Sequence, residues 1–415
     1  MRRFLWLSLG VLLLACVAAS CGGGSQGEAH WMITDLGTLG GPSSEAVAIN
    51  RRGEVVGNAD TRTKDKDGYP ISHAFLWRSG KMIDLGTLGG PTSEAVAINR
   101  GGEVVGNADT RTKDKEGKAI AHAFLWHHGK MSDLGTLGGP RSWAQAINAS
   151  GQVVGYAETT VKDEDGQPVA HAFLWQAGKM IDLGTFGGLS SRASDINDRG
   201  QIIGEADTTK KRLDEDDLRP HAIRHAFLWK KGKMIDLGVP PGRAESMASE
   251  INERSQILGW ACLPCSARDP YWVASAFLWQ AGRMTTLAPP RGRESCGANA
   301  FNEHGEAVGS ASDGGAWPRP VLWRAGKASA LRLPGELEGE ALSINERGQI
   351  VGYGGDEQTS HAFLWYHGTR TALPGLGGGW SDATAINANS QIIGGSDTKE
   401  RGFDLRAVLW TLKRG

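Results

Sequence analysis

The stretch from Ala95 to Gly135 contains four short phrases that decide the fold: AVAIN (95–99), EVVGNA (103–108), HAFLW (122–126) and MSDLG (131–135). Versions of these phrases occur eight times along the chain. The Asn that ends the first phrase recurs at steps of 49, 49, 49, 55, 50, 43 and 42 residues. A period in this range predicts a solenoid, a propeller or a repeat array. The repeated asparagines are Asn50, Asn99, Asn148, Asn197, Asn252, Asn302, Asn345 and Asn387.

Each phrase has the composition of a β-strand, because it is short, rich in β-branched or aromatic residues, and bounded by Gly, Asn or Asp. Tight turns at 99–102 and 127–130 join these strands into two hairpins per repeat. The repeat therefore predicts a four-stranded antiparallel blade. Eight copies predict an all-β chain that forms an eight-bladed β-propeller. A stacked β-solenoid would need a much shorter coil and is less favoured.

The two ends of the repeat array indicate how such a ring would close. The array begins with a lone fourth-type strand at 31–36 and ends with a lone third-type strand at 407–410. If the N-terminal strand completes the last blade, both open sheet edges are covered. We therefore expect a single propeller domain over residues 31–412, present as a monomer.

The N-terminal segment reads as an export signal. Residues 1–21 combine Arg2 and Arg3 with an apolar run at 4–17 and small residues before Cys21, which is typical of a lipoprotein-type signal peptide. Residues 22–30 begin with a Gly-rich stretch and are expected to form a flexible tether. Cys21 is the expected lipid attachment site, with Cys16 as the alternative, and a plain cleaved signal peptide is the other possibility. The predicted location is the outer membrane or cell surface, otherwise secreted, with membrane contact through the lipid anchor only.

The charge balance argues against nucleic acid as a partner. Lys and Arg number 45 against 46 Asp and Glu, which gives a net charge of −1 with no basic block. A protein that follows a phosphate backbone needs a concentrated positive surface. The expected partner is instead an extracellular protein or glycan.

Three cysteines remain in the repeat region, namely Cys262, Cys265 and Cys296. An exported compartment favours a disulfide between two of them. The spacing of Cys262 and Cys265 is that of a redox CxxC motif, but the motif requires a βαβ context that the sequence lacks. A structural disulfide is the preferred interpretation, and the sequence leaves its pairing open.

A His begins the third phrase in five of the eight repeats, and such a residue could indicate a metal or catalytic site. Because one His per repeat would be spread around a ring, these side chains cannot converge on one site. We interpret them as structural hydrogen-bonding groups. They are His73, His122, His171, His225 and His361.

Three loops between second and third strands carry alternating acids before a Gly. Such spacing is how a loop begins to enclose Ca²⁺ with oxygen ligands, although no Glu follows at the closing position. A solvated loop is the favoured alternative, so we expect no cofactor, with Ca²⁺ as the one metal to test. The candidate ligands are Asp65, Asp67, Asp114, Glu116, Asp163 and Asp165.

Several large or charged residues occupy the connections between repeats on the same face as these variable loops. Trp143 and Trp380 could stack on a sugar ring or anchor a partner, or they could pack between blades. Arg141, Arg243 and Arg293 lie on the same rim and could pair with carboxylates. These five residues are the candidate ligand face.

The repeat resembles the bacterial HAF family of probable extracellular repeats. The resemblance rests on HAFLW followed by G-K-M-x-D-L-G-T-L-G-G and then A-x-x-I-N, and it covers about residues 31–412. Units five to eight depart from the pattern; for example, Ser275 replaces the His and Pro320 begins a PVLW phrase. The resemblance implies an extracellular or surface protein with a propeller-like fold, and it implies no defined activity.

These observations predict a lipid-anchored, non-catalytic binding or scaffold module that acts through its variable loop face. No nucleophile–base pairing, metal cluster or phosphate-binding loop stands out in the sequence, so the pattern does not favour an enzyme. Two alternatives stay open. One is a propeller enzyme that acts on exported polysaccharide or a phosphate ester, with Asp65 and Asp163 at the channel mouth. The other is a purely structural envelope component.

Overall fold

The computed structural model describes residues 30–214, 217–262, 275–293, 295–313, 318–331, 338–356, 359–398 and 404–413, and side chains at 213–220 are not described. The predicted signal peptide, the lipidation candidates Cys21 and Cys16, most of the tether, and Cys265 lie outside these residues. Within the described ranges, no helix has the length and apolarity required to cross a bilayer.

The first half of the repeat array consists of an N-terminal strand and four units, which we number in chain order. Val, Ile, Phe and Trp recur in these strands and suit a pleated, buried surface. The strands are β1 (His30–Asp35); unit 1, β2 (Gly40–Ile49), β3 (Val55–Lys64), β4 (Pro70–Arg78), β5 (Lys81–Asp84); unit 2, β6 (Gly89–Ile98), β7 (Val104–Lys113), β8 (Ala119–His127), β9 (Lys130–Asp133); unit 3, β10 (Gly138–Ile147), β11 (Val153–Lys162), β12 (Pro168–Gln176), β13 (Lys179–Asp182); unit 4, β14 (Gly187–Ile196), β15 (Ile202–Asp214), β16 (Asp217–Lys230), β17 (Lys233–Asp236).

The second half repeats the same order, with shorter strands where the sequence departs from the early copies. The last unit supplies only three strands of its own. The strands are unit 5, β18 (Glu245–Ile251), β19 (Ile257–Cys262), β20 (Ser275–Gln280), β21 (Arg283–Thr286); unit 6, β22 (Ser295–Phe301), β23 (Ala307–Ser312), β24 (Arg319–Arg324), β25 (Lys327–Ala330); unit 7, β26 (Glu338–Ile344), β27 (Ile350–Gly355), β28 (Ser360–Tyr366), β29 (Thr369–Ala372); unit 8, β30 (Gly377–Ile386), β31 (Ile392–Thr398), β32 (Leu405–Lys413).

The pairing confirms an all-β chain of four-stranded antiparallel units with a propeller-like arrangement. Units 1 to 4 are separate four-stranded sheets. The later units depart from isolated antiparallel sheets, because a single parallel residue pair links unit 5 to unit 6 and another links unit 7 to unit 8. In each link, the first residue of a third strand pairs with a residue in the first half of the next unit's first strand, so the two sheets merge into a mixed one. The linking pairs are Ser275–Cys296 and Ser360–Trp380.

The N-terminal strand adds the fourth strand to unit 8. Strand β1 pairs antiparallel with β32 over its full length, from His30 opposite Lys413 to Asp35 opposite Val408. The final backbone contact continues one residue further, where the Leu36 N–H donates to the Ala407 carbonyl at 2.9 Å.

The core lies between consecutive units. One cluster joins Val56 and Leu76 of unit 1 to Val104 and Phe124 of unit 2, all fully buried. Another joins Phe75 of unit 1 to residues of unit 8. Burial of large apolar side chains is the main stabilising contribution to such a fold. The phenylalanine and leucine of the HAFLW phrase therefore hold each unit against its neighbour.

The repeated Asn closes one turn and links its unit to the next. In unit 2, the Asn99 Oδ1 accepts the N–H groups of Gly101 at 2.9 Å and Glu103 at 3.0 Å. Its Nδ2 donates to the Glu103 carboxylate at 2.6 Å and to the Asn148 carbonyl of unit 3 at 3.0 Å. The same step recurs from unit to unit, and the Asn387 Nδ2 donates to the Asn50 carbonyl at 2.9 Å. Four hydrogen bonds explain why Asn recurs, since a shorter or apolar side chain would leave buried polar groups unpaired.

Candidate functional site

The first strands of neighbouring units lie side by side along a shared space, which we call the channel. Neighbouring first strands contact one another in most pairs of units, including β2 with β30. The end of the channel near the repeated asparagines is a cavity of about 420 Å³ lined by residues of seven units. A second cavity of about 430 Å³ is lined by residues of the first strands of units 2 to 6 and of the turns that follow them, together with Glu346 of unit 7.

Two acidic side chains interrupt the repeat inside this second cavity. Asp195 of unit 4 and Glu250 of unit 5 occupy the position two residues before the repeated Asn. Two adjacent units thus place carboxyl groups on the channel wall. The other six units have small residues there, namely Ala48, Ala97, Ala146, Ala300, Ser343 and Ala385.

Backbone N–H groups orient both carboxyl groups. Asp195 Oδ2 accepts from the Ile251 N–H at 2.9 Å and Oδ1 from the Ile196 N–H at 2.8 Å, which ties Asp195 to the strand that carries Glu250. Glu250 Oε2 accepts from the Phe301 N–H of unit 6 at 3.2 Å. In the described part of the chain, Glu250 Oε1 has no hydrogen-bond partner. Both side chains keep part of their surface accessible through the channel.

Burial raises the pKa of both groups, and the charge of a nearby acid adds to each shift. Desolvation raises the pKa of Asp195 to about 6, and the charge of Glu253 adds to the effect. Desolvation, with the charge of Asp195, raises the pKa of Glu250 to about 8. At neutral pH, Asp195 is therefore mostly ionised and Glu250 mostly protonated. Two carboxyl groups whose environments separate their pKa values are the usual basis of an acid and a base in one site.

A further cavity, of about 440 Å³, shares Ser249 and Glu250 with the channel. Trp260, Asn299 and Ser310 also line it. It is open because unit 6 has Gly297 at a position where most units carry a large side chain, and no atom lies within 4 Å of the place a Cβ would occupy. Aromatic, hydroxyl and amide groups therefore surround a space next to Glu250, a lining typical of ligand pockets.

The predicted rim residues lie apart from this pair and mostly contact other side chains. Arg141 contacts Asp114 at 2.7 Å and Arg293 contacts Asp313 at 2.9 Å. Arg243 donates to the Ser275 hydroxyl. Trp380 is 40% exposed, whereas Trp143 is half-buried.

The predicted Ca²⁺ loops use their first acid to hold a turn. Asp65 Oδ1 accepts the N–H groups of Asp67 and Tyr69, both at 2.9 Å. Asp114 and Asp163 accept the corresponding pairs in their loops. Among the described residues, no three His, Cys, Asp or Glu side chains are grouped as they would be around a metal ion. Ca²⁺ binding stays a prediction. Asp65 and Asp163 line neither channel cavity, whereas Asp195 and Glu250 line the second one together with Glu303 and Glu346.

Of the two cysteines that the structure describes, one is oxidised and the other is free. Cys262 is disulfide-bonded. Cys296 is a free, buried thiol, and burial raises its pKa to about 11. Cys296 is therefore neither the disulfide partner of Cys262 nor an activated nucleophile.

The recurrent His joins the third strand to the fourth strand and to the next unit. The His122 Nδ1 contacts the Asp133 carboxylate at 2.8 Å and its Nε2 contacts the Pro140 carbonyl at 3.0 Å. Because both ring nitrogens face acceptors, the protonated form fits best, and the hydrogen bond to Asp133 raises the pKa of His122. His73 and His171 make the same pair of contacts with the same direction of pKa shift, so these three are structural links.

These links predict a pH dependence of stability. Since the histidine pKa is raised above 6.5, the stabilisation is full below that value and is lost as pH rises through the folded pKa. The pKa of Asp133 is lowered, so its part is lost in acid as pH falls below 3.8. When the pH rises from neutral to alkaline, we expect the free energy of unfolding of the native protein to fall. In the triple variant H73Q/H122Q/H171Q, this fall should be smaller by about 1.5 kcal/mol, after allowance for solvent screening.

Urea unfolding at a series of pH values measures this difference. H128Q is the matched control, because His128 lies exposed in a turn. Parallel pH curves for the native protein and the triple variant would contradict the prediction.

Comparisons with known proteins bear on the fold. No protein-family model matches the chain, and no curated protein matches it. The propeller domain of the Trilobed protease from Pyrococcus furiosus is 10% identical with a TM-score of 0.45, over 78% of this chain and 95% of that chain. A prolyl endopeptidase structure is 10% identical with a TM-score of 0.53, over 90% and 55%. A puromycin-hydrolysing peptidase from Mycobacterium tuberculosis is 14% identical with a TM-score of 0.47, over 80% and 52%.

These identities establish a likeness of fold alone, and the fold is propeller-like. The chain spans about half the length of the two complete peptidases that it matches. The prediction of a non-catalytic binding or scaffold module is nevertheless contradicted, because the prolyl endopeptidase that shares this fold over 90% of the chain is an enzyme. The repeated phrases conceal Asp195 and Glu250, because these residues depart from the repeat in only two units.

Proposed function

We propose that the chain is a propeller enzyme that hydrolyses an exported polysaccharide by acid–base chemistry in its channel. The observation that carries the proposal is the carboxyl pair Asp195 and Glu250, which lines one cavity and has separated, raised pKa values. Hydrolysis of a glycosidic bond requires such a pair, one protonated and one ionised. The phosphate-ester alternative is less favoured, because a pair of acids would repel a phosphate.

The pKa order assigns the roles. Glu250 holds a proton at neutral pH, and its Oε1 has no hydrogen-bond partner among the described residues, so it is the general acid toward the leaving oxygen. Asp195 is ionised at the same pH and is held by two backbone N–H groups, so it is the carboxylate that acts on the opposite side of the bond. The cavity of about 440 Å³ that is lined by Ser249, Glu250 and Trp260 would bind the sugar next to Glu250.

We further infer that the units form one closed, eight-bladed ring. Three contacts support closure: the pairing of β1 with β32, the packing of unit 8 against unit 1, and the hydrogen bond from Asn387 to the Asn50 carbonyl. The HAF-like repeat, the signal-like residues 1–21 and Cys21 support an exported protein held to the membrane by lipid. An extracellular glycan is the matching substrate.

Incubation of the purified full-length protein with a substrate panel tests the proposal. The panel contains soluble neutral and anionic polysaccharides, casein, and p-nitrophenyl phosphate. We expect new reducing ends from at least one polysaccharide and no turnover of the other two. Release of peptides or phosphate without reducing ends, or no turnover of any polysaccharide, would overturn the assignment.

A further inference from the structure

Unit 3 carries an aromatic pair at the loop-side end of its first strand. Trp143 and Tyr156 are opposite each other in the register of β10 and β11. Their rings stack with centroids 4.9 Å apart and an angle of 23°. The Arg192 guanidinium of unit 4 lies 5.0 Å from the centroid of the Tyr156 ring. Arg192 contacts Tyr156, and Tyr156 in turn stacks on Trp143. The Trp143 ring is therefore held in place as a rigid surface.

Trp143 lines a cavity of about 290 Å³ that is formed by residues of units 1, 2 and 3. The other walls include Asn58, Glu94, Asn107 and Asp109. Polar side chains thus surround a single aromatic face. That combination is typical of a site that binds a ligand with both apolar and hydroxyl surfaces.

Internal hydrogen bonds fix these polar groups without using all their capacity. Asn107 Nδ2 donates to Glu94 Oε1 at 2.8 Å, while Asn107 Oδ1 accepts from the Ala144 N–H at 2.9 Å. Asn58 Oδ1 accepts from the Ala95 N–H at 2.9 Å. Within the described residues, the Asn58 amide N–H groups and Glu94 Oε2 have no hydrogen-bond partner. A donor and an acceptor therefore remain for a ligand.

We propose that this cavity is a second sugar-binding site, remote from Glu250, which holds an uncharged pyranose of the same polysaccharide. The C–H face of a pyranose is apolar and fits the Trp143 ring, while its hydroxyls match the Asn58 donor and the Glu94 acceptor. Among the described residues, two carboxylates and no Lys or Arg line the cavity, so an anionic sugar would be repelled. The site rests on the proposed polysaccharide hydrolase, and it would hold the chain two units away from the reacting bond.

Affinity electrophoresis in native gels tests this site. The gels contain hydroxyethylcellulose, xyloglucan or galactomannan as neutral probes and polygalacturonate as the anionic probe. The E250Q protein is used, so that binding is measured without turnover. We expect retardation by a neutral polymer, about tenfold weaker apparent affinity in E250Q/W143A, and partial recovery in E250Q/W143Y.

The matched control is E250Q/Y366A, which removes an exposed aromatic side chain of unit 7 and is expected to migrate like E250Q. Retardation unchanged by W143A would overturn the second site, as would retardation by polygalacturonate alone or by no neutral polymer. Reducing ends formed by the native protein are measured separately. Turnover with unchanged W143A binding thus rejects the second site alone, whereas W143-dependent binding without turnover rejects the hydrolase alone.

Discussion

Replacing Glu250 by Gln is expected to lower kcat/KM on the polysaccharide substrate about a thousandfold, because the general acid loses its proton. Gln has the size of the protonated acid and can still accept the Phe301 N–H, so the channel wall should keep its shape. The buried carboxyl opposes folding as pH rises from 4.5 toward 8, since only the unfolded chain ionises freely. At neutral pH, E250Q should therefore be at least as stable as the native protein.

E346Q is the matched control for this change. Glu346 lines the same cavity, but its side chain is 40% exposed and contacts His304 at 3.5 Å. We expect E346Q to change kcat/KM less than threefold, in line with a residue outside the acid–base pair. Equal losses in the two variants, or a folded E250Q with native turnover, would contradict the role of Glu250.

Replacing Asn387 or Asn148 by Ala is expected to destabilise the protein equally, by about 3 kcal/mol each. Each change removes a buried side chain that fixes its own turn and donates to the next unit's carbonyl. Asn148 lies within the array, whereas the Asn387 contact joins the last unit to the first. Equal losses are therefore what a closed ring requires.

Chemical denaturation measures the free energy of unfolding of N387A and N148A. S150A is the control, because Ser150 lies exposed in the same turn as Asn148, and its stability should change by less than about 0.5 kcal/mol. A loss for N387A far below that for N148A would show that the contact between unit 8 and unit 1 carries little energy, and it would contradict closure.

Much of the fold could be predicted from the sequence, because each strand repeats eight times with Gly or Asn at its turns. The pairing of the N-terminal strand with the last unit followed from counting strand types at the two ends. The links at Ser275–Cys296 and Ser360–Trp380 could not be predicted, since a single parallel pair depends on how closely two units approach. Nothing in the local sequence sets that distance.

The sequence contains a signal for the carboxyl pair, but the similarity of the eight units conceals it. A comparison of the eight units position by position finds Asp195 and Glu250 where the others have Ala or Ser. Their raised pKa values depend on burial in the channel, which requires the three-dimensional arrangement. The loop acids Asp65 and Asp163 were more visible in the sequence, but their oxygens hold turns.

The pH dependence of kcat/KM on the best polysaccharide tests the acid–base pair most directly. Because the two carboxyl groups interact, the profile reports values that belong to the pair. We expect a bell-shaped pH profile of kcat/KM with its acid limb near pH 6 and its alkaline limb near pH 8. The alkaline limb should be lost in E250Q. A profile without these limbs, or an alkaline limb that persists in E250Q, would contradict it.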